Sequence, residues 1–154
     1  MIDKELNIVL RDMARKAGAC QNVMDEWGDE DTVDILLDRY MSTLDFAIDK
    51  DFPTVDFVDR HFSKEDLHRH HIYVNEEVDI SGDDGTYVLL GSCTGAVRFV
   101  GMCVATVYVR HDSHVSISSS DGSIVFVRLY EYSSCEKSCD RYSKLSILDR
   151  RERK

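Results

Sequence analysis

VATVYVRHDSHVSISSSDGSIVFVRL, residues 104–129, decides how this chain folds. The apolar pairs Val107/Val109, Val115/Ile117 and Ile124/Phe126 each set two similar side chains two residues apart. Positions i and i+2 lie on one face of a strand, so each pair marks a short strand with an apolar side. The same device extends both ways along the sequence. Val88/Leu90 and Val97/Phe99 precede it at steps of nine to ten residues, and Leu145/Ile147 follows about two steps later.

Strands at this interval fit two architectures: a parallel β-helix (solenoid), in which successive strands stack along an axis, or an antiparallel sandwich or barrel. The connectors favour the solenoid because they repeat a theme of acid, serine and then the next apolar pair. Examples are Asp112-Ser113-His114-Val115 and Asp121-Gly122-Ser123-Ile124. Val115 and Leu145, each followed by Ser and Ile, stand 30 residues apart, about three steps. Asp84-Gly85 and Asp121-Gly122 are hairpin signals that favour the antiparallel alternative. The balance predicts a parallel β-helix over residues 72–154.

The front, residues 1–71, reads as helical. Ile2, Leu6, Val9, Leu10, Met13 and Ala17 follow amphipathic helical spacing, with Gly18 as the stop. A second helix is predicted through Val33, Leu36, Leu37, Tyr40, Met41, Leu44 and Ile48, capped by Asp29 or Asp31. Pro53 opens a shorter third helix through Val55, Val58 and Phe62, and Ser63-Lys64-Glu65-Asp66 resembles a capping box. The class is therefore α+β. No linker composition separates the two regions, so a shared core is expected. The helices would cap one end of the strand stack, and an incomplete cap would favour a homo-oligomer.

The chain carries 19 basic and 29 acidic residues, a net charge of −10. Residues 1–71 hold 17 acids against 9 bases (−8), leaving 12 against 10 (−2) for 72–154. Such a front repels nucleic acid and anionic lipid and suits a basic protein surface. No apolar run is long enough to span a bilayer and the first residues lack a signal-peptide centre, so a cytoplasmic protein is expected. Five cysteines without such a leader suggest reduced thiols.

Several residue groups carry side chains capable of chemistry. His68, His70 and His71 could supply metal ligands, but no further ligands at suitable spacing complete a site. Cys135 and Cys139 form a C-x₃-C pair with no second pair. Asp79 to Gly85 fails as a calcium loop because Leu90 stands where a bidentate Glu is required. His111-Asp112-Ser113-His114 contains the letters of a catalytic triad, yet neighbouring side chains on a strand point to opposite faces. No metal, cofactor or catalytic residue is predicted. The acidic run Asp25, Glu26, Asp29, Glu30 and Asp31 around Trp27 is the predicted partner-binding patch, with Trp27 as its anchor. Arg98, Arg110 and Arg128 are the alternative, as phosphate contacts along one side of the stack for a signalling nucleotide.

The phrases Gly85-Thr86-Tyr87-Val88-Leu89-Leu90-Gly91 and Ala105-Thr106-Val107-Tyr108-Val109-Arg110-His111-Asp112-Ser113, with Asp51-Phe52-Pro53 and His61-Phe62, resemble uncharacterised small proteins of gut anaerobes, their prophages and conjugative elements. The resemblance implies a helical front, a short β-helix and a mobile-element setting, and carries over no catalytic residue. The expected function is a non-enzymatic interaction protein, such as an inhibitor of a host defence protein. A small-ligand binder is the alternative.

Overall fold

A computed structural model describes residues 4–25, 27–28 and 31–151. Ile2 of the predicted first helix and the residues Glu152, Arg153 and Lys154 lie outside them. The chain divides into two compact units, residues 1–70 and 71–154.

The first unit is helical. Helix α1 (Lys4–Ala17) buries Leu6, Leu10 and Ala14, one stripe at four-residue spacing, and leaves Val9 exposed. A short α2 (Gln21–Asp25) follows. The predicted second helix is two helices, α3 (Val33–Ser42) and α4 (Leu44–Lys50), broken at Thr43. The Thr43 hydroxyl donates to the Arg39 carbonyl, and its backbone N–H to that of Tyr40. This is the local competition by which Thr ends helices. The N-cap of α3 is Thr32, whose side chain accepts from Ile35 N, and not the predicted Asp29 or Asp31. Thr54 and Ser63 cap α5 (Val55–His61) and α6 (Lys64–Arg69) in the same way.

The second unit is the predicted solenoid. Its strands are β1 (Ile72–Val74), β2 (Glu77–Gly82), β3 (Gly85–Leu90), β4 (Thr94–Val100), β5 (Val104–Val109), β6 (His114–Ser120), β7 (Ile124–Leu129), β8 (Ser134–Cys139) and β9 (Lys144–Asp149). Odd strands form one parallel sheet, in the order β1-β3-β5-β7-β9, and even strands β2-β4-β6-β8 form the other. From β3 onward partners lie twenty residues apart, as in Val107↔Val127 and Val97↔Ile117. One rung is thus two strands and two corners, and each strand-plus-corner is ten residues long.

That ten-residue module explains the sequence pattern. Gly91, Gly101, His111, Asp121 and Glu131 all adopt left-handed backbone conformations, with φ of 73, 94, 55, 56 and 51°. Each starts a corner. Two residues later comes Cys93, Cys103, Ser113, Ser123 or Ser133, all buried. A corner aims carbonyls inward, and a small side chain with a donor fits beneath them. Ser113 Oγ donates to the Gly91 carbonyl (3.0 Å), Ser133 Oγ to that of Tyr130 (2.7 Å), and Cys93 Sγ to that of Leu90 (3.3 Å). Burial pushes the Cys93 thiol pKa up, which suits a packed, protonated thiol. Asp84-Gly85 and Asp121-Gly122 are corners between sheets, not hairpins, because both flanking strands find partners a full rung away.

Between the sheets lies an apolar interior that includes Val97, Phe99, Val107, Val109, Val115, Ile117, Val125 and Val127. Two predicted pairs are one residue out of phase. Tyr87 and Leu89 face the interior between the sheets while Val88 and Leu90 are buried on the other side of β3, and Val125 and Val127 face inward rather than Ile124 and Phe126. In both places the apolar run is continuous, so alternation alone cannot choose the face. Val115 and Leu145 sit in opposite sheets, so their 30-residue spacing is one and a half rungs. Gly95 marks the tightest approach: a Cβ there would lie 2.0 Å from the Val78 carbonyl oxygen, at φ +118°. Gly95→Ala should lower unfolding free energy by roughly 3 kcal/mol or more in a urea titration. The neighbouring outward change Ala96→Ser should stay within about 0.5 kcal/mol of the parent.

Candidate interaction surfaces

Strand alternation sends odd-numbered positions of β5, β7 and β9 into the core and even-numbered ones outward. The outward set is Val104, Thr106 and Tyr108; Ile124, Phe126 and Arg128; Lys144, Ser146 and Leu148. No acid occurs among them, on a chain of net charge −10. Val104, Phe126 and Leu148 are exposed to 53%, 45% and 43%. The Arg128 guanidinium lies 5.4 Å over the Tyr108 ring, which stands parallel to Tyr130 at 6.1 Å between centroids. Exposed Val104, Phe126, Leu148 and Lys144 therefore share one sheet face with the half-buried Arg128 and the buried Tyr108, on a backbone pinned by the ladder below it.

The outward face of the even sheet has the opposite character. It carries Glu77, Asp79 and Glu136 against Arg98, with hydroxyls between them at Ser116, Ser118, Ser134 and Ser138. Arg98 is ion-paired to Asp79. Arg110 is 2% exposed and bonded to Glu131 at 3.1 Å. The three arginines predicted to line one side are thus split: Arg98 is on the even sheet, Arg128 is on the odd sheet, and Arg110 is at a corner and committed to a carboxylate.

Of the acidic patch, Glu26, Asp29 and Glu30 lie outside the described residues. Asp25 accepts from Gln21 Nε2 at 2.7 Å. Asp31 pairs with Arg39 at 2.8 Å. Trp27 donates its indole N–H to Asn7 Oδ1, and Arg39 lies 4.5 Å over its ring. Trp27 and Asp31 are therefore tied into their own unit. The histidine cluster disperses as well. His70 contacts Asp34 (2.9 Å) and Asp38 (3.0 Å), while His71 stacks on Tyr87 at 4.3 Å. The bonds from His70 and Arg69 hold the Asp34 carboxyl below its ordinary pKa. Among the described residues, no group of three His, Cys, Asp or Glu side chains could hold a metal ion. Cys135, inward on β8, has its pKa pushed up to about 11 by burial.

One arrangement was invisible in the sequence. His114 Nδ1 lies 2.6 Å from Ser134 Oγ, and His114 Nε2 lies 2.8 Å from Asp112 Oδ1. The rung length brings this about, since His114 and Ser134 are register partners. The letters match a nucleophile, a base and an orienting acid. The surroundings do not, because all three stand on an outward strand or corner, with His114 47% and Asp112 69% exposed. Water at such a site competes for each bond and screens developing charge, so little transition-state stabilisation is available.

The chain matches no family model, and neither a curated protein nor a solved structure matches it. No helix among the described residues is long and apolar enough to cross a membrane.

A fluorophosphonate reagent should leave Ser134 unmodified, as read by intact-mass spectrometry. Modification at Ser134 that disappears in His114→Ala would instead identify an activated serine.

Proposed function

We propose that the chain is a non-enzymatic protein-interaction module that docks partners on the outer face of β5, β7 and β9. The observation that carries this reading is the exposure of Val104, Phe126 and Leu148 on three strands whose outward positions hold no acid, alongside Tyr108 and Arg128, with the Asp84 carboxylate bonded to Val104 N at the β5 edge. Apolar side chains grouped with aromatics and Arg are the composition of binding surfaces, and a few such anchors carry most binding energy. A hydrogen-bonded sheet holds them without an ordering cost on association. The acidic front, at −8 over residues 1–71, supports a second, basic partner surface. Two surfaces of opposite sign on one chain also support head-to-tail homo-oligomers. The resemblance to proteins of prophages and conjugative elements supports an inhibitor of a host defence protein as the biological form.

The test is affinity capture from a host lysate with the parent protein and with Val104→Ser/Phe126→Ser, both first shown to melt at the same temperature. The expected result is a partner retained at least about tenfold better by the parent. Capture of every partner equally by both proteins contradicts docking on this face. Small-ligand binding is the second reading, favoured by the guanidinium of Arg128 beside the Tyr108 and Tyr130 rings. It requires a raised melting temperature with a signalling nucleotide.

A further inference from the structure

We infer that the outer face of β5, β7 and β9 takes an acidic polypeptide segment bearing apolar side chains. This rests on the docking role proposed above and names the chemistry of what docks. Charge complementarity is the argument. Lys144 is exposed on the face, Arg128 lies half-buried over the Tyr108 ring and Arg150 follows β9, while none of the nine outward positions, three from each strand, is acidic and the Asp84 carboxylate stands only at the β5 edge. The opposite face of the same solenoid carries Glu77, Asp79 and Glu136 against Arg98, so acids outnumber the arginine there. The sign of the charge therefore changes across a slab two sheets thick, about 10 Å between backbones. An approaching acidic chain is attracted to one face and repelled by the other, and complementary potentials select both partner and orientation.

The apolar content distinguishes a polypeptide from other polyanions. Phe126 and Leu148 are exposed beside Arg128 and Lys144, and Val104 is exposed on the neighbouring strand, so a partner gains from the face only by covering them as well. A phosphate backbone offers nothing to aliphatic side chains. Affinity for nucleic acid grows with the number of phosphates neutralised, and here few cations stand against an overall charge of −10. An anionic bilayer brings apolar material, but the whole acidic protein must approach it. Leucine or phenylalanine among aspartates and glutamates satisfies both halves of the surface.

The experiment pans short random peptides displayed on phage against the full chain, with counter-selection on Phe126→Ser/Arg128→Glu. Synthetic copies of the selected peptides are then titrated by fluorescence anisotropy. Net-negative sequences rich in Leu, Ile or Phe are expected. Their affinity should fall roughly tenfold with Arg128→Glu, weaken with added salt, and stay unchanged with Glu136→Gln on the opposite face. Selected peptides that are neutral or basic, or that bind Arg128→Glu as well as the parent, overturn the inference. So does tighter binding of single-stranded RNA or phosphatidylserine vesicles through the same residues. If the lysate partner is lost with Val104→Ser/Phe126→Ser but its docking segment is basic, the interaction role stands and the acidic-segment inference alone fails.

Discussion

The parallel backbone ladder between residues twenty apart is the constraint on which the second unit depends. Once Val107 pairs with Val127, and Val97 with Ile117, every side chain is assigned to a column and every column to a face. Interior columns then have to be apolar or small until the last even strand, where Lys137 follows Ile117 and is exposed, and corner columns have to accept a left-handed residue and supply a buried donor. The succession Cys93, Cys103, Ser113, Ser123, Ser133 is the clearest product of that demand. Each has a side chain small enough for the corner, and those at 93, 113 and 133 add a second hydrogen bond to carbonyls that also accept a backbone N–H.

The same ladder generates the functional surfaces. Because outward positions of one sheet are all read at even numbers, a bias in the residues at those positions becomes a bias of a whole face. On β5, β7 and β9 the bias is toward aliphatic, aromatic and cationic side chains, and on the even strands toward hydroxyls and acids. The Asp112–His114–Ser134 chain of hydrogen bonds has the same origin. A rung places position 134 beside position 114, and the corner brings Asp112 within reach. It is better understood as a polar link between rungs than as machinery, since solvent reaches it freely.

Much of the architecture was legible in the residues because Val107/Val109 and Val115/Ile117 alternate cleanly with polar neighbours. Where apolar residues run together, at Val88-Leu89-Leu90 and Ile124-Val125-Phe126-Val127, the period of two loses its phase and the face was misread by one residue. The buried Cys/Ser column resolves that ambiguity, since interior positions fall two, four and six residues after it. The surfaces were less legible for a related reason. Arg98, Arg110 and Arg128 look alike in the sequence, and only their column separates an ion pair with Asp79, a buried bond to Glu131 and a place on the docking face. Trp27 could not be placed either, because its partners Asn7 and Arg39 lie on other helices.

The register can be tested without reference to any partner. Nitroxide labels at Thr106→Cys and Phe126→Cys, in a background with Cys20, Cys135 and Cys139 replaced by serine, occupy one column on adjacent strands spaced roughly 4.8 Å apart. Labels at Thr106→Cys and Ser116→Cys point outward from opposite sheets. The stacked account predicts strong spin–spin broadening in the continuous-wave EPR spectrum of the 106/126 pair and none in that of the 106/116 pair. Broadening of 106/116 with a sharp 106/126 spectrum would place consecutive strands side by side and contradict it.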